Sequence, residues 1–207
     1  MNNSTSGKGK LFVISGPSGA GKGTICKRII EETSAEVSVS ATTRKPREGE
    51  VEGVSYYFLT KEQFMAKVET GGFLEYAEVF ENYYGTPLEP VEKKLAEGKD
   101  VILEIDIQGA MKVKEKCPYG IFIFILPPSL KMLKERLVGR GTETEEVVKL
   151  RLSKAMKEMS FVEKYDYAVT NGNLEKAVEN VKSIITAEHL RVPEDAGSLL
   201  IKYKEEK

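Results

Sequence analysis

A chain of 207 residues is long enough for one substantial core carrying smaller appendages. Its 31 basic and 32 acidic side chains nearly cancel, which argues against a nucleic-acid or membrane-surface binder and confines any anion site to a local cluster. No apolar run approaches the ~20 residues of a membrane span. The first ten residues, MNNSTSGKGK, lack a signal-peptide core, and Cys26 and Cys117 have neither metal spacing nor disulfide density, so a cytoplasmic protein is expected.

The first predicted strand is the apolar run Leu11 to Ile14, and "SGPSGAGKGT" follows it before a helical pattern from Thr24 to Glu32. The stretch matches G-x-x-x-x-G-K from Gly16 to Lys22 in the strand-to-helix setting that a phosphate-binding loop requires. Glycines bring backbone amides close to a ligand, so the N–H groups from Gly19 to Thr24 are expected to share one concavity at the positive end of the helix. Lys22 adds a point charge for the outer phosphates. Where the motif expects Ser or Thr on the metal, this chain has Gly23, with Thr24 one step later. A metal is then expected to be held mostly by phosphate oxygens and water.

Between about Val37 and Gly98 the rhythm turns mixed, as in an inserted subdomain. Val37 to Ser40 alternates like a half-buried strand, and Thr60 with Gln63 predicts a capping box opening a helix that stops at Gly71-Gly72. Between these lies SATTRKPREGE, which sets Arg44 and Arg47 three apart around Pro46; two guanidinium forks from one short segment can grip a phosphate. Tyr56, Tyr83 and Tyr84 offer hydroxyls. Without context, such a charge run reads as a solvated turn.

Val101 to Ile107 and Ile121 to Leu126 supply further strands, and strands alternating with helical stretches imply a parallel sheet with helices on its faces. Asp106, at the end of the first run, is delivered beside the glycine loop as a metal or substrate contact, with a helix cap as the alternative. Val138 to Glu145, with two glycines beside an arginine, reads as a hinged lid whose next helix opens on Thr142 and Glu145. Leu174 to Leu190 carries an apolar stripe and predicts a packed helix. The tail after Arg191 is polar and expected to be loosely held.

"SGPSGAGKGT", "SVSATTRKPREGEVEGVSYYF", "FLEYAEVFENYYGTP", "ILEIDIQGA" and "RLVGRGTETEE" together resemble guanylate kinase in order and spacing, from about Leu11 to Leu190. The resemblance implies an α/β fold: a three-layer α/β/α P-loop kinase core with a parallel sheet, a small mixed GMP-binding insert and a helical lid. In residues this gives core at 1–36, 98–128 and 161–190, insert at 37–97, lid with flanking helices at 129–160 and tail at 191–207. It also implies ATP and GMP as substrates, with Mg²⁺, in purine nucleotide metabolism.

Carried over by residue, the resemblance gives the ATP side Gly16, Pro17, Ser18, Gly19, Ala20, Gly21, Lys22, Gly23, Thr24, Arg136, Arg140 and Asn171. It gives Ser40, Glu75 and Thr86 to the guanine, and Arg44, Arg47, Tyr56 and Tyr84 to the GMP phosphate. Glu50, Glu104 and Asp106 fall along the GMP ribose or metal side, Asp106 reaching the metal through water and Thr24 being a second candidate. Lys22, Arg44, Arg136, Arg140 and Arg151 are the expected catalytic cations, Arg151 also touching GMP. Taken alone, the last three arginines would pair with neighbouring glutamates, and Asn171 would be a turn. No nucleic acid or membrane partner is expected, and a homodimer is left open. A non-catalytic scaffold would show a decayed loop, and a sugar-phosphate kinase would lack the base contacts.

Overall fold

The computed structural model describes residues 8–79, 81–138, 145–192, 197 and 200. In chain order its elements are β1 (Leu11–Ser15), α1 (Lys22–Glu32), β2 (Glu36–Val37), β3 (Ala41–Thr42), β4 (Tyr57–Phe58), α2 (Lys61–Glu69), β5 (Phe73–Val79), β6 (Asn82–Pro87) and α3 (Leu88–Ala96). Then come β7 (Val101–Glu104), α4 (Ile107–Lys116), β8 (Ile121–Leu126), α5 (Leu130–Val138), α6 (Glu145–Met159), a 3-10 turn at Ser160–Lys164, β9 (Tyr167–Thr170) and α7 (Leu174–His189).

β1 is buried on both faces because its side chains alternate between two apolar layers. Phe12 and Ile14 pack with Ile25, Ile29, Val178 and Val181 of α1 and α7. Leu11 and Val13 pack with Val91, Leu95 and Val113 of α3 and α4. The result is a three-layer core around a five-strand parallel sheet in the order β2-β7-β1-β8-β9. β1 lies at its centre, and consecutive crossovers leave to opposite sides of it, so the carboxyl ends of β1, β7 and β8 frame a crevice at the switch point.

The insert is built on a second sheet, β4-β3-β6-β5, in which β3 pairs parallel with β4 and antiparallel with β6. Its small core is aromatic: Phe64 of α2 stacks on Phe73 with ring centroids 4.3 Å apart and on Tyr83 at 5.5 Å. The expected capping box is present, with Thr60 Oγ1 accepting the Gln63 amide at 3.2 Å and Gln63 Oε1 accepting the Thr60 amide at 2.9 Å. The helix ends at Glu69, and Gly71 follows in the left-handed region at φ +69°.

The strand expected over Val37 to Ser40 is not one element. Val37 ends β2 in the core sheet, the Ser38 amide still donates to the Ile102 carbonyl at 3.0 Å, and Ala41 begins β3 in the second sheet. The chain changes sheets there, and half-burial during the crossing gives the same alternation as a strand. β5 joins the two layers, because Leu74 is buried in the α3/α4 side of the core while Phe73 faces the insert. α5 and α6 pair through Leu133, Leu137, Leu152 and Ala155. The Gly139–Thr144 segment of the expected lid, including Arg140 and the Thr142 cap, lies outside the described residues, as does most of the tail. Among the described residues no helix is long and apolar enough to cross a membrane.

Candidate active site

The loop between β1 and α1 bends through Gly16, Gly19 and Gly21, all at positive φ (148°, 85° and 91°). Gly21 caps α1, and the first turn of that helix carries no acidic residue, so its amide-rich end stays open to an anion. A Cβ on Gly16 would lie 2.3 Å from the Ile125 carbonyl oxygen, which fixes that position as glycine. The Ala20 amide departs from the expected cradle. It donates to the Pro17 carbonyl at 3.2 Å, as the loop's own turn requires.

Lys22 folds across the loop, its Nζ donating to the Gly16 carbonyl at 2.7 Å and the Pro17 carbonyl at 3.2 Å. Burial pulls its pKa below the ordinary lysine value, and Glu104 foremost among the nearby groups pulls it back up. Glu104 itself is pushed above the usual carboxylate range by partial desolvation, against the opposing pull of Lys22. Its Oε1 lies 3.3 Å from where a Cβ on Gly23 would stand. A serine or threonine at 23 would crowd that carboxylate, a physical reason for the departure from the usual motif.

The cleft over this loop has a volume of about 660 Å³, and Ser18, Lys22, Thr24, Glu104, Arg136 and Asn171 are among its lining residues. Asn171 follows β9, is buried, and donates through Nδ2 to the Ala20 carbonyl at 2.8 Å. It is therefore a tether for the loop, more than the turn residue its sequence suggests. Arg136 from α5 donates through Nη2 to the Asn171 carbonyl at 2.9 Å, while its buried Nη1 finds no partner among the described residues. Arg151 from α6 donates to Ser18 Oγ at 2.9 Å. Arg136 and Arg151 thus come to the loop and its tether from separate helices.

The insert gathers a second set. Arg44 Nη2 donates to Glu50 Oε1 at 2.7 Å, its Nη1 donates to the Lys45 carbonyl at 2.7 Å, and its guanidinium lies 5.6 Å from the centre of the Tyr56 ring. Glu50 first, and the Tyr84 hydroxyl after it, hold that guanidinium above its already high ordinary pKa. Glu50 Oε2 accepts the Arg47 amide at 2.8 Å, so one carboxylate shapes the whole turn. The Arg47 side chain is exposed. Tyr56 and Tyr84 meet edge to face at 6.2 Å, and the Ser40 carbonyl accepts the Tyr57 amide at 2.9 Å.

Glu75 and Thr86 sit opposite each other on β5 and β6, both buried. Thr86 Oγ1 donates to Glu75 Oε1 at 2.8 Å. Its proton is thus engaged with Glu75, leaving the lone pairs of the hydroxyl as acceptors. Burial pushes the Glu75 carboxyl above its ordinary range; Thr86 and Lys112 oppose this, and Asp106 adds to it. Asp106 caps α4, accepting the Gly109 amide at 2.8 Å, so the alternative reading of this residue holds for one of its oxygens. Its charge acts on Lys22 as well as on Glu75, which places it between the two sets. Sequence reasoning did not find Gly109 or Lys112, whose link to Glu75 spans more than thirty residues of chain.

A glycine loop with its lysine at the switch point of a parallel sheet, with a set of basic and acidic side chains on an insert, defines a P-loop kinase of the nucleotide-phosphorylating class. The guanylate kinase family profile matches residues 8–188. The chain is 60% identical to a guanylate kinase of Clostridium acetobutylicum, over 89% of this chain and 88% of that protein. It is 58% identical to one of Clostridium perfringens, over 93% and 90% of the two chains. The crystal structure of guanylate kinase from Anaplasma phagocytophilum superimposes with a TM-score of 0.73 at 34% identity, over 93% of this chain and 94% of that one. The chain belongs to the guanylate kinase family, and it is an enzyme.

Proposed function

We propose that the protein transfers the γ-phosphoryl group of ATP to GMP, reversibly, giving ADP and GDP. The observation that carries this reading is Glu75, a buried carboxylate with Oε1 on the Thr86 hydroxyl, near Asp106, on the insert that also bears Arg44 and Arg47. A carboxylate accepts only, and guanine presents two donors on one edge, N1–H and the 2-amine, where adenine has an acceptor at N1. A site built on buried hydrogen bonds can reject the wrong base by a factor on the order of 10⁴.

In this reading residues 1–36, 98–128 and 161–190 form the core, 37–97 the acceptor-binding insert, 129–160 the lid and 191–207 the tail. Ser40, Glu75 and Thr86 hold the base. Arg44, Arg47, Tyr56 and Tyr84 hold the acceptor phosphate, with Glu50 ordering the turn. Gly16 to Thr24 hold the donor phosphates, and Asn171 lines the adenine side. The attacking oxygen belongs to GMP's phosphate, largely ionised at neutral pH because its second pKa is ~6, so no general base is required. Lys22, Arg136, Arg140 and Arg151 spread the charge of the transferring group, and closure excludes water.

The donor set fits Mg²⁺ carried by the nucleotide. Among the described residues no cluster of three or more His, Cys, Asp or Glu side chains is placed to hold an ion. Asp106, through water, and Thr24 are the residues that would steady it, with Glu104 alongside. When bound, the ion would neutralise negative charge on the phosphates. The setting is the cytoplasm, with ATP and GMP as the partners.

ADP formation followed with ATP plus GMP, AMP or ribose phosphate in parallel tests the reading. Turnover is expected with GMP far above the other two; no turnover with GMP would overturn it.

A further inference from the structure

The Glu75 carboxylate is bounded on one side by a helix of the core. α4 presents Gly109, Lys112 and Lys116 along one face, at i, i+3 and i+7. Lys112 Nζ donates to the Tyr76 carbonyl at 2.7 Å and Lys116 Nζ to the Phe73 carbonyl at 2.8 Å, so two lysines clip the β5 backbone on either side of Glu75. Gly109 stands beside Glu75 itself. A Cβ built on it would lie 3.2 Å from Glu75 Oε2, 3.4 Å from Cδ and 3.4 Å from Asp106 Oδ1.

We propose that Gly109 is a specificity-determining position for the acceptor base: the missing side chain on α4 is the space that sets where Oε2 of Glu75 stands. This rests on the reading of Glu75 as the guanine acceptor. Oε1 accepts the Thr86 hydroxyl, and Oε2 is the oxygen facing Gly109. At 3.2 Å an added methyl is too close, and a neighbour must move by a few tenths of an ångström. The helix backbone is held by its own hydrogen bonds, and Asp106 is held by its cap to the Gly109 amide. The end of the Glu75 side chain is what yields. Hydrogen bonds weaken steeply with angle, so displacing the acceptor loosens its grip on both guanine donors. Gly109 is thus a positioning residue that acts through Glu75, and Lys112 and Lys116 extend the same function by holding the strand.

The test is the full-length variant Gly109→Ala, with KM for GMP, KM for ATP, GMP affinity by calorimetry and the melting midpoint measured beside the unchanged protein. KM and Kd for GMP are expected to rise about 10-fold or more. KM for ATP should stay within about 2-fold, and the midpoint should hold or rise, since alanine is the better helix former. A purely structural role predicts a lowered midpoint with both substrates affected alike, and that result overturns the proposal, as does an unchanged KM for GMP. If Gly109→Ala does not fold, Lys112→Met, at an exposed position, decides: a selective rise in KM for GMP supports the proposal and none overturns it. If the unchanged protein fails to phosphorylate GMP, the functional reading falls instead, which separates the two failures.

Discussion

Asn171 closes on Gly21 so tightly that a Cβ built on the glycine would lie 2.4 Å from the Asn171 amide nitrogen. The same nitrogen donates to the Ala20 carbonyl at 2.8 Å, so the edge strand of the sheet anchors the phosphate loop at its centre. Gly21 also sits at φ +91°, where a side chain is strained whatever the space. Gly21→Ala is therefore expected to push Asn171 off the loop and to cost about 1–3 kcal/mol in backbone strain. Steady-state kinetics should show kcat/KM for ATP falling by about 10²-fold, the scale on which small misplacements act. Asn171→Ala, which removes the tether without the strain, should show a smaller loss confined to ATP.

Lys22 places its ammonium over the loop carbonyls, at 2.7 Å from Gly16 O and 3.2 Å from Pro17 O. Replacing it by methionine keeps the stem and removes the charge. The two carbonyls it leaves belong to buried residues, so their lost hydrogen bonds should cost about 1–3 kcal/mol and lower the melting midpoint modestly. Turnover should fall by about 10²–10³-fold or more, the cost of losing a charge aimed at the transferring group. Near-normal kcat in Lys22→Met would remove the loop from the chemistry.

What was legible in the sequence is what local spacing encodes. The glycine loop is a linear motif, the Thr60–Gln63 box spans three residues, and the α7 stripe repeats every three or four, so each is visible without neighbours. β9 was missed because it is four residues long at a sheet edge, with only Val169 buried and Ala168 and Thr170 exposed on either side of it. The crossing at Val37–Ser40 was misread because its half-burial comes from two sheets in succession. The Asn171–Ala20 tether, the Arg151–Ser18 bond and the Gly109–Glu75 approach join positions 151, 133 and 34 residues apart. No spacing rule reaches that far; only the packing of the strands brings them together.

The Arg44–Glu50 pair makes a prediction about affinity for the acceptor. Glu50 uses one oxygen on Arg44 Nη2 at 2.7 Å and the other on the Arg47 amide at 2.8 Å, so it fixes both arginine positions of the turn. Glu50→Ala should release the turn and raise KM for GMP by about 10-fold while leaving KM for ATP unchanged. Arg44→Lys keeps the charge but loses the planar fork that binds two oxygens at once, and should raise KM for GMP to a similar degree. Equal effects of either change on both substrates would show that the turn does not serve the acceptor.

Glu75 makes a prediction about pH, with opposite signs for stability and for binding. Burial raises its folded-state pKa above that of the unfolded chain, so between those two values the folded protein holds a proton that the unfolded chain has released. Stability carried by that proton is present at low pH and is lost as pH rises through the folded value. Glu75→Gln is therefore expected to melt higher than the unchanged protein at neutral pH, by about 2–4 °C for each kcal/mol relieved. The gap should close on acidification below the ordinary glutamate range. Binding runs the other way, because two guanine donors need the ionised acceptor: KM for GMP should rise by up to about tenfold per pH unit as pH drops through the folded value. Glu75→Gln should lose both that pH dependence and most of the preference for GMP over AMP. Melting curves and KM measured across the acid range on both proteins check the two signs together, and a flat KM profile in the unchanged protein would show that Glu75 does not face the base.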